Sequence, residues 1–453
     1  MSNITMSNFI VVLFFSIISI HAAQGQIKTD SAKRERWTNH FQLTVISQSH
    51  AAFRSNYRGS NSLGDSVELG ATSLTSTLFI GRKVWKGGAI YFNPEVSGGS
   101  GLSLALGVAG ALNGETYRIG NPAPAVFIAR TYLQQNFALG TAYENVEEEI
   151  NQVKDRVPAK RITISIGKFA MGDFFDDNRY SHDPRTQFLN WSLMSNGAWD
   201  YPANTRGYTL GLVAELIYPQ WAVRFSTAAV PRVANAPKLE YNVAHARSET
   251  VELEKKFLFN KRVSKIRLLL TNTISRAPSY EDGLKALAAG DQFILNVISG
   301  RQENNSYGGR KFGIGAGLEQ ELTRKLAVFS RAGWNDGQYA TWAFTEIDRT
   351  FQLGLSVKGA KWQRRTEDVF GIAGVINGIS DQHEDFLKAG GYGFIIGDGK
   401  LTYASEMIME AWYDAHLSRL FWFSLDYQFV ANPGYNSDRG PVSVFAVRGH
   451  IEL

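Results

Sequence analysis

Two stretches near the end of the chain alternate apolar and polar residues with a strict period of two, and this limits the fold more than any other feature. In the first, Phe421, Phe423, Leu425, Tyr427 and Phe429 share one face, and Trp422, Ser424, Asp426 and Gln428 share the other. In the second, Phe445, Val447, Gly449, Ile451 and Leu453 oppose Ala446, Arg448, His450 and Glu452. A period of two puts the two sets on opposite sides of a sheet. Charges at Asp426, Arg448 and Glu452 cannot face lipid, but they can face water inside a closed barrel. The pattern therefore predicts an outer-membrane barrel, apolar outside and polar inside.

The start of the chain agrees with export. Residues 9–20 (FIVVLFFSIISI) form an uncharged apolar run, followed by the small residues Ala22, Ala23 and Gly25. That run falls short of the ~20 residues a spanning helix needs. It predicts a secretory signal peptide over 1–25, removed on export, and a single barrel domain over 26–453. The first eight residues (MSNITMSN) carry no Lys or Arg, which is atypical for such a signal, and an N-terminal anchor helix is the alternative. The longest apolar run elsewhere, 102–112 (LSLALGVAGAL), is shorter still.

Composition closes off other classes. The absence of cysteine removes disulfide frameworks, thiolate chemistry, cysteine–zinc sites and lipoprotein anchoring. The 47 basic and 42 acidic residues give only +5, and the basic ones are scattered, so no nucleic-acid footprint is expected. The 43 Gly suit curved strands and turns, while the 28 Phe, 18 Tyr and 10 Trp suit the aromatic girdles of a membrane barrel.

Period-two segments recur along the chain, separated by turn signals such as Asn113-Gly114, Asp336-Gly337, Asn377-Gly378 and Gly397-Asp398-Gly399. They cover 41–48, 73–84, 88–96, 127–137, 161–169, 207–217, 221–227, 250–259 and 264–274 in the first part. They continue with 312–319, 326–334, 351–358, 369–376, 391–396 and 406–417 before the last two. This gives about seventeen strands, and because bacterial single-chain barrels carry an even number, the expectation is 16, with 18 as the alternative. Irregular pieces at 98–124, 142–160, 170–205, 231–248 and 278–309 are expected to be outer loops, some folding into the lumen.

Enzyme signatures are lacking. There is no HExxH, no G-x-S-x-G and no phosphate-binding loop. Gly313, Gly315 and Gly317 lie two apart, which marks one face of a strand with bare backbone and not a dinucleotide loop. The eight His show no ligand spacing, and Asp173-Phe174-Phe175-Asp176 lacks the spacing of a calcium loop, so no metal or cofactor is expected.

One segment stands apart. Residues 173–191 (DFFDDNRYSHDPRTQFLNW) hold four Asp, two Arg, one His and five aromatics. Rings that stack on the apolar faces of a sugar, with charges that hydrogen-bond its hydroxyls, make a sugar pathway; a loop whose Asp–Arg pairs only hold a turn is the alternative. Charged residues also fall on predicted lumen faces at Glu95, Arg130, Glu215, Arg224, Arg267, Arg331, Glu410 and Asp426. Rings of charge decide which solutes pass a pore. The candidate pathway is Glu95, Arg130, Tyr180, Asp183, Arg185, Arg331 and Asp426. Within it, Tyr180, Asp183 and Arg185 are expected to face Glu95 and Arg130 across a constriction.

Several segments resemble the carbohydrate-selective porins of the OprB type. They are 88–98 (GAIYFNPEVSG), 174–191 (FFDDNRYSHDPRTQFLNW), 343–349 (AFTEIDR), 389–398 (AGGYGFIIGD) and 431–444 (ANPGYNSDRGPVSV). The resemblance implies a 16-stranded channel, monomeric or homotrimeric, in the outer membrane of a Gram-negative cell, passing sugars by facilitated diffusion. Its partners would be sugars or other small polar solutes, outer-membrane lipid and the barrel assembly machinery. The alternatives are a general or anion-favouring porin and, in another class, a non-conducting structural or adhesive barrel.

Overall fold

In a computed structural model, residues 36–116, 122–359 and 365–453 are described. The signal-peptide reading of residues 1–25 lies outside them. Eighteen strands occur among the described residues. The first nine are β1 (Trp37–His50), β2 (Glu68–Trp85), β3 (Gly88–Gly99), β4 (Ala125–Ala138), β5 (Tyr143–Val146), β6 (Asp155–Pro158), β7 (Arg161–Phe169), β8 (Thr209–Tyr218) and β9 (Trp221–Ala228). Then follow β10 (Arg247–Phe259), β11 (Arg262–Ser275), β12 (Gly309–Glu321), β13 (Leu326–Asn335), β14 (Arg349–Lys358), β15 (Val369–Gly378), β16 (Glu406–Ser418), β17 (Phe421–Ala431) and β18 (Val442–Glu452).

Sixteen of these close into one antiparallel barrel, each strand beside its neighbour in the chain, with β1 against β18 as the seam. The seam runs in register from Gln42↔Glu452 to His50↔Val444. The remaining pair, β5 and β6, forms a separate two-stranded hairpin. Closure leaves no strand edge unpaired, which is the condition for carrying a sheet through lipid. Among the described residues no helix is long and apolar enough to cross a membrane.

Facing follows the period-two pattern. Leu425 and Val447 are 55% and 43% exposed on the outer wall, whereas Asp426 and Arg448 between their neighbours are 5% and 1% exposed inside. Ile266 and Leu268 point out and Arg267 points in. Exposed rings form two belts, with Trp37, Trp85, Phe137 and Phe259 near one end and Phe312, Trp334, Phe351, Phe429 and Phe445 near the other. Such belts mark the two interfaces of a bilayer.

One end carries mostly short turns, at 86–87, 219–220, 260–261, 322–325, 359–368 and 419–420. The other carries long connections at 51–67, 100–124, 170–208, 229–246, 276–308, 336–348, 379–405 and 432–441. Two expectations need correction here. The 391–396 segment is not a strand; it lies in the 379–405 connection, after the helix at Asp381–Lys388. Its backbone is satisfied by a side chain, because Glu346 accepts from the N–H groups of Ile395 and Ile396, both at 2.8 Å. The 142–160 piece is not an outer loop either. It joins β4 to β7, whose ends pair at Ala138↔Arg161, beside the short 86–87 turn where Gly88 pairs with Gln135.

Candidate functional site

The 170–208 connection fills the middle of the barrel. Burying a loop leaves its N–H and C=O groups in need of partners, and lumen-facing side chains of the wall supply them. Arg331 on β13 donates to Asp176 Oδ1 (2.8 Å), to the Ser181 carbonyl (2.8 Å) and to the Leu193 carbonyl (3.1 Å). Glu410 on β16 accepts from the N–H groups of Leu189 (2.5 Å) and Asn190 (2.9 Å). Arg448 donates to the carbonyls of Pro184 (2.8 Å) and Gln187 (2.7 Å), and Gln352 to those of Ser192 (3.1 Å) and Ser195 (2.8 Å). The lumen-facing glycines of β12 and β13 make room for this packing: a Cβ on Gly315 would meet Asn196 Nδ2 at 2.6 Å, and one on Gly333 would clash with the same side chain. Apolar rings complete the seal, with Phe188 edge-on to Phe329 at 5.5 Å and to Trp412 at 5.7 Å. Helix α1 (Trp191–Met194) sits within the connection and is wholly buried.

The 100–124 connection enters beside it. Glu406 accepts from the N–H groups of Ala109 (3.0 Å) and Gly110 (2.8 Å), and Gln48 and Gln428 donate to the Leu112 carbonyl at 3.0 and 2.8 Å. These contacts place Glu115 against Arg185. Arg185 then donates to Glu115 (3.2 Å), Glu95 (3.0 Å), Thr77 (3.0 Å) and Gln42 (3.2 Å). Glu95 also accepts from Thr77 Oγ1 (2.6 Å) and the Tyr208 hydroxyl (3.1 Å). Beside this cluster Arg130 grips Asp173 through two bonds of 2.7 Å and lies 5.3 Å from the centre of the Tyr208 ring. Burial opposes the charge on Arg185, but Glu115, Glu95 and Asp183 outweigh it and hold the guanidinium protonated. Burial likewise pushes the Asp183 carboxyl up, yet the Arg185 charge and backbone N–H outweigh that and leave it below its ordinary 3.8.

Under these groups lies a chamber of about 700 Å³. Its lining includes Glu115, Arg130, Asp173, Asp183 and Arg185 together with the rings of Tyr132, Phe174, Phe175, Trp199 and Tyr201. The rings fall into two groups of contacts, Tyr132 with Phe174 at 6.0 Å, and Phe175 with Trp199 at 6.2 Å and Trp199 with Tyr201 at 5.3 Å. Eight carboxylates and six Lys or Arg side chains line the chamber in all. Such a wall binds by many shallow contacts, each reversible, which is what conduction requires.

The seven residues singled out from the sequence divide three ways. Arg130, Asp183 and Arg185 line the chamber. Glu95 lies behind Arg185, buried, as its ion partner at 3.0 Å. Tyr180, Arg331 and Asp426 do not line it. Tyr180 packs instead on the apolar cluster that holds Phe188, Leu193 and Phe329, Arg331 staples the loop to the wall, and Asp426 is buried next to Gln428 at 3.4 Å. Glu115, Asp173, Trp199 and Tyr201 escaped selection. Asp173 stood inside the segment noted for its composition. The others sit on connections whose contacts no period reveals.

Comparison with known proteins shows the family and the fold. The profile of the carbohydrate-selective porin, OprB family, matches residues 71–453. Among solved structures, OprB of Pseudomonas putida at high pH superposes with a TM-score of 0.67 at 14% identity, covering 92% of this chain and 94% of that one. Its low-pH structure gives a TM-score of 0.50 at 11% identity, over 92% and 93%. The outer membrane channel DcaP of Acinetobacter baumannii gives a TM-score of 0.51 at 8% identity, over 92% and 97%. At such identities the likeness shows the fold alone. No curated protein matches the chain.

Proposed function

The chain belongs to the carbohydrate-selective porin family of the OprB type, and from that premise we propose that it carries sugars across the outer membrane by passive diffusion through the chamber under the 170–208 connection. One observation carries the reading: paired charges of both signs, Arg130–Asp173 and Arg185–Glu115, share one chamber with two groups of aromatic rings. Hydroxyl groups need donors and acceptors side by side, and the apolar faces of a sugar ring need flat partners. The energetic role of the protein is to replace about 25 Å of hydrocarbon by a wet, polar lumen. No covalent chemistry is called for.

The anion-favouring alternative loses its electrostatic motive, since carboxylates outnumber cations on the chamber wall. On this reading the chain is exported by the segment at 1–25, residues 26–453 form one domain, and the barrel assembly machinery inserts it with the short-turn end in the periplasm. Arg130, Asp183 and Arg185 are the constriction, with Glu95 holding Arg185 in place. Single-channel recording tests the reading: sugars added at millimolar concentration should reduce the current in a concentration-dependent way, whereas an ion pathway without sugar contacts shows no reduction.

A further inference from the structure

The connection between β4 and β7 breaks the rule for the end at which it lies. The other connections there run no longer than the ten residues of 359–368, whereas this one covers 139–160. It is also ordered into a hairpin. Strands β5 and β6 pair from Tyr143↔Pro158 to Val146↔Asp155. At the tip Glu149 and Gln152 exchange two backbone hydrogen bonds, of 3.1 and 2.9 Å, with Asn151 between them in the left-handed region (φ 54°).

The hairpin points into the barrel. Asn93 Nδ2 donates to Asn151 Oδ1 at 3.0 Å, and Asn93 is the register partner of Arg130 on the neighbouring strand. Asn93 lies five residues into the wall from Gly88, so the tip reaches roughly 16 Å along it. Val153 is buried in the apolar cluster that contains Tyr91 and Tyr132. Ion pairs tie the hairpin to the wall, Lys83 with Asp155 and Arg161 with Glu144, the latter at 2.8 Å. Glu149, Ile150, Asn151 and Gln152 face the same chamber that Arg130 and Arg185 line.

We propose that this hairpin is a second filter, which narrows the chamber from the short-turn end up to the level of Arg130. The first filter, at Arg130 and Arg185, is charged. The second mixes carboxamides, Asn151 and Gln152 from the tip with Gln134 and Asn136 from the wall, with Glu149 and the Lys83–Asp155 pair, so it suits a hydroxyl-rich solute of small size. A carboxamide both donates and accepts, which matches a sugar hydroxyl. Solute is therefore selected by the loop and the hairpin together, and the hairpin sets the upper size limit. This inference rests on the sugar-channel reading for its solute, but not for its geometry.

The test replaces residues 141–158 by Gly-Gly and measures polymer exclusion in planar bilayers, with graded polyethylene glycols applied to one side at a time. The expected result is a larger cut-off from the short-turn side and an unchanged cut-off from the loop side. In liposome swelling, the trisaccharide rate relative to the monosaccharide rate should rise at least threefold. A second variant that keeps the hairpin, Asn151→Trp, should lower monosaccharide flux several-fold. An unchanged short-turn cut-off in a heat-modifiable barrel, or full flux through Asn151→Trp, overturns the filter. The polymer arm contains no sugar. If the cut-off shifts as expected but no sugar swells liposomes or blocks current, the sugar reading fails and the hairpin filter stands.

Discussion

Replacing Arg185 with alanine removes the cation that Glu95, Glu115 and Asp183 share. Glu95 and Glu115 are left buried without it, since they accept its bonds at 3.0 and 3.2 Å. Stranding buried charge in this way costs about 3–5 kcal/mol, which a closed barrel with every strand paired should survive. The larger effect is on permeation. A unit charge ~5 Å from the path contributes about 1 kcal/mol at the dielectric of water and about 3 kcal/mol at an effective value of 20. Even the lower figure changes a ratio roughly fivefold, so cation-over-anion permeability in Arg185→Ala should rise by at least about that factor. Reversal potentials in a salt gradient measure it directly, and sugar block should weaken in the same recordings. Adding Glu115→Gln to Arg185→Ala should return the ion preference part of the way. If Arg185→Ala assembles as a heat-modifiable barrel with unchanged reversal potential and unchanged sugar block, the constriction does not lie at Arg130, Asp183 and Arg185.

Arg331→Ala should loosen the 170–208 connection, including the chamber-lining Asp176, because Arg331 bonds Asp176, the Ser181 and Leu193 carbonyls and Gln352; conductance should rise and become noisier while the barrel remains heat-modifiable. Arg267 does not itself line the chamber, pairing with Glu254 at 3.0 Å and with the lining residue Asp177 at 3.5 Å, so Arg267→Ala should weaken sugar block much less than Arg185→Ala does. Leu425→Arg should impair insertion, since a midplane charge on the lipid face costs about 2–4 kcal/mol, and its absence from outer-membrane fractions would show this. Acid should act late. The Asp183 carboxyl is held below its ordinary 3.8, and a group depressed on folding contributes stability that is full above the unfolded value and lost as pH falls through the folded one. Sugar block should therefore persist from pH 7 down to about 4 and fade below; a loss between pH 7 and 5 contradicts this.

Much of the fold was legible because the barrel repeats one simple rule. Each strand must show lipid an apolar face and water a polar one, so facing at Leu425, Asp426, Val447 and Arg448 could be read residue by residue. The extra strand at 391–396 was read from alternation alone. In the structure that backbone bonds to the Glu346 carboxylate and not to a neighbouring strand, and only tertiary contact distinguishes the two. The 142–160 piece was assigned to the outer side by its length. Counting chain reversals from β1 places it at the opposite end, and length misled because this barrel uses a hairpin where a short turn is usual. The 173–191 segment could be picked out because its charges and rings are dense in sequence. Glu115 could not, since its meeting with Arg185 depends on how Glu406, Gln48 and Gln428 hold the 100–124 connection.

The central claim is passive sugar passage through this barrel, and liposome swelling tests it most directly. Protein refolded into liposomes and diluted into isosmotic sugar should let monosaccharides enter fastest, disaccharides more slowly and trisaccharides least, with no energy source and no covalent change to the sugar. Swelling no faster than in protein-free liposomes, with a correctly closed and heat-modifiable barrel, would contradict it.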